Sequence, residues 1–393
     1  MKTKKVPLLV KIAIAIVAGI AGGMFFPGWL SRLFITFNSV FGNFLNFIIP
    51  LLILGLIAPG IAEVGKSAKR LLLLTAVLAY AFTLFAGFFS YGVCELSYPH
   101  ILSSDTAVDI ARKGEALAPY FTIEMQPLFG VMSALITAFI MGIGMSVIKN
   151  GALFAAMSDF KEIITTTISS AIIPLLPIYI FGIFISITQS GQVAPVLGVF
   201  IKIIVLIFAI AIAVLVVQFV IAGIVSGKNP FTMLRNMLPA YVTALGTQSS
   251  AATIPVTLEQ TKKNGVSNDI ADFTVPLCAT IHLSGSTLKI VACALAIITM
   301  SGGSCSFGTM AGFIFMLGIT MVAAPGVPGG AIMASLGILE SILGFNNEAL
   351  GLMIALYIAM DSFGTATNVT GDGAISAIID CIDKKAKKHK KEK

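Results

Sequence analysis

Charge is scarce in this sequence. Only 11% of its 393 residues are Asp, Glu, Lys or Arg, against about 25% in soluble domains. Uncharged runs occur at about 12–27, 33–62, 71–94, 125–148, 163–188 and 203–227, and roughly 20 apolar residues cross a hydrocarbon core. A soluble globular fold is excluded. The five cysteines (Cys94, Cys278, Cys293, Cys305 and Cys381) lie in or beside apolar segments without a CxxC or metal-type pattern, so they read as buried apolar residues. A secretory signal would show a small-residue cleavage site. The stretch after "MKTKK" has no clear one, is long and opens a series of similar spans, so it reads as the first helix.

A distributed basic surface is also missing. The net charge is +7, but seven lysines and one glutamate in "KKAKKHKKEK" (384–393) account for +6 of it. Such a tail suits anchorage against anionic lipid, not nucleic acid. What is abundant is apolar: 57% of residues are hydrophobic and the mean hydropathy is +0.98. "MKTKK", "EVGKSAKR" (63–70), "GKNPFTMLR" (227–235) and the tail are basic, whereas residues 95–124 carry five acids and two bases. By loop charge, both termini are expected in the cytoplasm and the acidic loop outside.

After residue 228 the regular spans stop. "MLPAYVTALGTQSSAATIPVTLEQTKK" (237–263) is apolar around a polar centre and too short to cross twice, and residues 301–344 repeat the design around "APGVPGG". Each predicts a re-entrant helical hairpin with its tip inside the membrane. Irregular backbone at that depth survives only where protein or a water-filled cavity covers it. Each hairpin precedes a polar-studded span, 267–299 and 348–379, a candidate inverted repeat of the kind that places a transporter's binding site.

In the last span Asp361, Thr365, Asn368 and Asp372 fall within about 60° of arc on a helix. An intramembrane charge costs about 2.5–3.5 kcal/mol on the lenient insertion scale, so this stripe points to a site.

These stretches resemble the dicarboxylate/amino acid:cation symporters, which include glutamate and neutral amino acid transporters. "TQSSAATIPVT" (247–257) is similar to that family's serine-rich first hairpin tip, "APGVPGG" (324–330) to the second, and "NVTGD" (368–372) to its cation motif. The resemblance implies an all-α membrane protein of eight transmembrane helices and two re-entrant hairpins in inverted repeats, working as an elevator in a homotrimer. It assigns residues 1–68 and 125–196 to a scaffold, and 69–94 and 197–383 to a transport domain. Residues 95–124 form an extracellular loop and 384–393 a cytoplasmic tail.

By the same resemblance, Asn368 and Asp372 help ligate sodium with carbonyls of Cys278 and His282, and Thr280 touches a second ion. Asp361 receives a substrate α-ammonium. Thr365, Asn368 and Ser286 hydrogen-bond the substrate, and backbone at Ser250 and Val327 meets its carboxylate. Gly326, Pro328, Gly329 and Gly330 form the gate, and sodium, or else protons, drive uptake across the inner membrane.

The departures from that pattern bear on substrate and coupling. Acidic-substrate members carry an arginine where this chain has Gly364 or Gln248, so a small neutral amino acid is expected, with an acidic amino acid or C4-dicarboxylate as the alternative. The family's "NMDGT" reads "HLSGS" (282–286). His282 replaces an asparagine, Ser284 replaces a cation-site aspartate, and Lys289 adds an ammonium. His282 and Lys289, seven residues apart, are expected on one helix face. Lys289 lies too deep to reach the headgroups and is expected to pair with Asp361 or Asp372, lowering the number of coupled cations. An intramembrane aspartyl protease fits less well: its GxGD motif is missed, and aspartates 11 residues apart on one helix are about 16 Å apart, whereas acid dyads nearly touch. A channel remains a reading that accelerated exchange would separate from a carrier.

Overall fold

The computed structural model describes residues 8–66, 70–102, 117–148, 151–191, 193–324 and 328–391. Gly326, Val327 and residues 103–116 of the acidic loop lie outside the described residues. Among the described residues every regular element is helical. In order these are α1 (Leu8–Phe25), α2 (Gly28–Lys66), α3 (Arg70–Ile101), α4 (Val131–Val147), α5 (Ala152–Thr167), α6 (Ile173–Gln189) and α7 (Val193–Ser226). Then come α8 (Pro230–Thr247), α9 (Ser250–Lys263), α10 (Asn268–Ile281), α11 (Ser284–Met300), α12 (Phe307–Val322), α13 (Gly330–Leu343), α14 (Asn347–Ala359) and α15 (Asp361–Lys391). A π-helical step, Ile168–Ile172, makes α5 and α6 one continuous span.

Among the described residues six helical spans are long and apolar enough to cross a membrane, with α5–α6 and α10–α11 each counted as one, or seven if α14 and α15 count as one bent span. At 17 residues, α4 is a shorter apolar helix. The third span outruns the end at residue 94 expected from hydropathy, because α3 continues to Ile101. Its extra turns are tied to α11 by the Tyr98 hydroxyl, which donates to the Ala292 carbonyl at 2.8 Å, about two turns after the Ser90 hydroxyl donates to that of Leu288 at 2.8 Å.

The irregular second half resolves into two helical hairpins. Helices α8 and α9 pack together across Gln248 and Ser249, and α12 packs with α13. Local chemistry starts these helices: Asn229 caps α8 with Pro230 following, Ser249 caps α9, Ser306 caps α12 and Asn346 caps α14, each side chain accepting a backbone N–H of the first turn. Each cap satisfies a donor that the helix itself cannot. Gly329, at φ +75°, caps α13 in the left-handed region, a conformation that costs a residue with a Cβ roughly 1–2 kcal/mol.

Both polar spans are broken, which corrects their reading as continuous helices. The first stops at Ile281 and resumes at Ser284; the second stops at Ala359 and resumes at Asp361 with a 61° bend. His282 and Lys289 therefore lie on opposite sides of a break instead of along one helical face. Helices α1, α2, α4, α5 and α6 pack chiefly on one another, and α3 and α7 to α15 form a second group. Contacts between the groups run mainly from α12 and α13 to α2, and from α14 to α1 and α6.

Candidate functional site

The two breaks face each other, and each is capped from the opposite broken helix. At the head of α11, the Gly285 N–H donates to Asn368 Oδ1 of α15 at 2.7 Å. At the end of α14, the Met360 carbonyl accepts from Lys289 Nζ of α11 at 3.2 Å. Such reciprocal capping supplies partners that interrupted helices lose. It requires close approach: a Cβ on Gly285 would meet Thr367 Cβ at 2.7 Å and would overlap the Gly364 carbonyl.

Gly364 is the notch that admits Lys289, whose Cε and Nζ occupy the space a Cβ would take. The lysine is 1% exposed. Its Nζ lies 3.5 Å from Asp361 Oδ1 and 3.8 Å from the centre of the Tyr357 ring, a cation–π arrangement. Of the two carboxylates expected as partners, Asp361 is the one found. Its other oxygen accepts the Gly329 N–H of the second hairpin at 3.0 Å.

In front of this pair lies a small cavity of about 40 Å³, lined by Ser249 and Ser250 at the head of α9, Leu283 and Ser286 around the head of α11, Ala331 near the head of α13, and Asp361 at the head of α15. Four helix N-termini thus border one space, and each brings the positive end of its dipole, a setting for a carboxylate. Thr280, Thr365, Asn368 and Tyr357 complete the polar lining together with Gln248, which adopts φ 53° at the first hairpin tip. Among the described residues Asp361 is the only acidic or basic side chain on the wall.

Ser286 organises the floor. Asn368 Oδ1 is committed to a backbone donor, which fixes Nδ2 toward Ser286 Oγ at 3.2 Å. Tyr357 donates to the same oxygen at 3.0 Å. With both lone pairs used, the Ser286 hydrogen remains free to donate. Thr365 donates to the Asp361 carbonyl at 3.0 Å, and Thr280 to that of Leu277 at 2.7 Å, so each retains only acceptor capacity.

Behind the cavity is a second polar cluster. His282 Nδ1 and Asp372 Oδ1 are 2.9 Å apart, with side chains 0% and 1% exposed. Asp372 Oδ2, His282 Nε2 and both amide atoms of Gln218 on α7 are buried without a hydrogen-bond partner among the described residues. Gln218 and His282 both border Gly371. The end of α10, at Cys278 to His282, adds carbonyls and the negative end of a helix dipole. An oxygen-rich pocket with one uncompensated carboxylate oxygen fits a hard monovalent cation.

Of the residues singled out from sequence, Ser250, Thr280, Ser286, Asp361, Thr365 and Asn368 share the cavity. Cys278, His282, Asp372 and Lys289 are buried but absent from its lining. Pro328 and Gly329 sit at the second hairpin tip. Sequence reasoning missed Tyr357 and Gln218. Gln218 had left a signal, as a polar residue in the most hydropathic span, Val196–Ser226; Tyr357 had left none.

Residues 8–382 match the family model described as the sodium:dicarboxylate symporter family. The chain is 26% identical over 394 residues to the serine/threonine transporter SstT of Acinetobacter baumannii strain AYE, covering 96% of this chain and 97% of that protein. Proteins of the same name from strains AB307-0294 and AB0057 match to the same extent.

Proposed function

The chain belongs to the sodium:dicarboxylate symporter family, and from that premise we propose that it imports a small neutral amino acid by sodium-coupled symport. One observation carries the substrate class. Among the described residues the cavity pairs a single carboxylate, Asp361, with four helix N-termini and has no basic side chain on its wall. An α-ammonium meets Asp361 and an α-carboxylate meets the helix N-termini and the Ser286 hydroxyl; a second carboxylate would be buried without a free cation, since Lys289 behind the wall is already held by Asp361 and the Met360 carbonyl, and that is costly. The relatives named as serine/threonine transporters support the same class.

Sodium would be held near Asp372, with Asn368, Gln218 and the carbonyls at the end of α10 as neighbouring oxygen donors; its binding supplies charge compensation and drive. Thr280 adds a hydroxyl toward the cavity. The second hairpin, with Pro328 and Gly329 at its tip and Gly329 hydrogen-bonded to Asp361, is the gate. The two packing groups suit a scaffold (α1, α2, α4 to α6) and a transport domain (α3, α7 to α15) that slides against it as an elevator. A homotrimer with eight spans, two re-entrant hairpins and both termini in the cytoplasm completes the reading.

The test is uptake into proteoliposomes with an inward sodium gradient, comparing serine, alanine, aspartate and succinate. Serine or alanine is expected to be accumulated and to compete best. Tighter binding of aspartate or succinate would overturn the substrate class.

A further inference from the structure

We propose that Lys289 is a built-in cation of the transport site, and that its presence sets the coupling at one monovalent cation per neutral substrate. This inference rests on the symport reading above. The charged side chains buried among the described residues are Lys289, Asp361, Asp372 and Asp380. Asp380 belongs to the water: its partner Lys384, at 2.6 Å, is 58% exposed. The other three, together with His282, are enclosed by protein.

Geometry pairs Lys289 with Asp361 and, among the described residues, leaves one carboxylate oxygen of Asp372 free. Lys289 Nζ faces the Met360 carbonyl at 3.2 Å, Asp361 Oδ1 at 3.5 Å and the face of Tyr357 at 3.8 Å. Three electron-rich neighbours call for the ammonium form. His282 meets Asp372 through Nδ1 and Oδ1 at 2.9 Å and leaves Asp372 Oδ2 without a partner among the described residues. The sum is −1 for Asp361, −1 for Asp372 and +1 for Lys289, a net charge of −1.

An amino acid zwitterion leaves that sum unchanged. One monovalent cation beside Asp372, whose Oδ2 has no partner, brings the loaded site to neutrality. The remaining buried, unpartnered oxygens in the region among the described residues, Ser284 Oγ, Thr287 Oγ1, Thr370 Oγ1 and Gln218 Oε1, are neutral. They can solvate an ion without balancing its charge, so a second cation would stand uncompensated in a low-dielectric interior. Without Lys289 the same site would carry −2 and accept two cations. The lysine thus replaces a bound ion with a tethered one, at the notch that Gly364 leaves open.

The experiment uses full-length protein in liposomes with the membrane potential clamped at zero and a tenfold inward sodium gradient. It measures the serine ratio at which net flux vanishes, and separately the charge moved per serine. With one coupled ion the zero-flux ratio is about tenfold; two ions give about a hundredfold and three about a thousandfold. Expected are the tenfold ratio and one charge per serine. A ratio of a hundred or more in the native protein overturns the inference while leaving symport standing. No sodium-driven serine accumulation at all removes the symport reading and this inference with it. Lys289→Met is expected to raise the ratio to about a hundredfold, and an unchanged tenfold ratio would show that the lysine does not set the coupling. Should Lys289→Met not assemble, Lys289→Arg, which keeps the charge, is expected to retain one charge per serine; a different value refutes the assignment.

Discussion

Removing the Ser286 hydroxyl is expected to harm the protein more than removing the tyrosine hydroxyl that bonds to it. Tyr357→Phe deletes one donor and leaves Ser286 accepting from Asn368 at 3.2 Å, a loss of one ordinary hydrogen bond worth about 1 kcal/mol. Ser286→Ala strands two buried donors, Tyr357 Oη and Asn368 Nδ2. At roughly 1–3 kcal/mol for each unsatisfied group, the cost is about 3 kcal/mol. In Ser286→Ala/Tyr357→Phe only the asparagine donor is stranded, so the pair is expected to cost about 2 kcal/mol, roughly 2 kcal/mol less than the sum of the single changes. The measurement is chemical unfolding of the detergent-solubilised protein followed by circular dichroism. Serine affinity, read from ligand-induced stabilisation, should fall most in the two variants lacking Ser286, which lose the hydroxyl hydrogen free to donate into the cavity. Additivity of the two substitutions within about 0.5 kcal/mol would refute the shared-acceptor geometry.

Further outcomes follow from the same contacts. Gly285→Ala places a Cβ against Thr367 and the Gly364 backbone; separating α11 from α15 should lower stability by about 1–3 kcal/mol, and an unchanged melting temperature would contradict the close approach. Asp372→Asn should shrink the sodium-induced rise in melting temperature, because it removes the uncompensated carboxylate oxygen; a full-size rise would move the ion elsewhere. Gln218→Leu should raise the sodium-free melting temperature, since an unsatisfied buried amide costs about 1–3 kcal/mol, while weakening the response to sodium; a lower sodium-free value means that the amide is satisfied. Asp361→Asn should abolish serine uptake without lowering the yield of folded protein, and retained uptake would exclude Asp361 from substrate binding.

Much of the candidate site was legible because its polarity stands against an apolar background. Asp361, Thr365, Asn368 and Asp372 form a stripe that no lipid-facing helix would carry, and α15 does hold all four. The paired helices α8 with α9 and α12 with α13 were legible from apolar arms around polar or Pro/Gly-rich centres, and the Ser249 side chain caps the second of the first pair. The breaks at 282–283 and 360 were not, because neither "TIHLSGS" nor "IAMDSFG" has proline or glycine at the interruption itself. Their orphaned backbone groups are satisfied by Asn368 and Lys289 from distant segments. A local reading extends both helices and so places His282 and Lys289 on one face.

The sequence by itself determined the solvent, the helical spans and hairpins, and the polarity of the last helix, because each depends on residues near one another in the chain and on the cost of exposing polar groups to hydrocarbon. Tertiary structure alone decided which charge meets which. Lys289 lies 72 positions from Asp361 and His282 lies 90 from Asp372. Gly364 looked like a missing cation in the sequence, yet the folded chain fills its place with an ammonium from another helix. The physical reason is that a glycine on one helix records only the absence of its own side chain. What enters the space is set by the register of two helices whose broken ends cap each other.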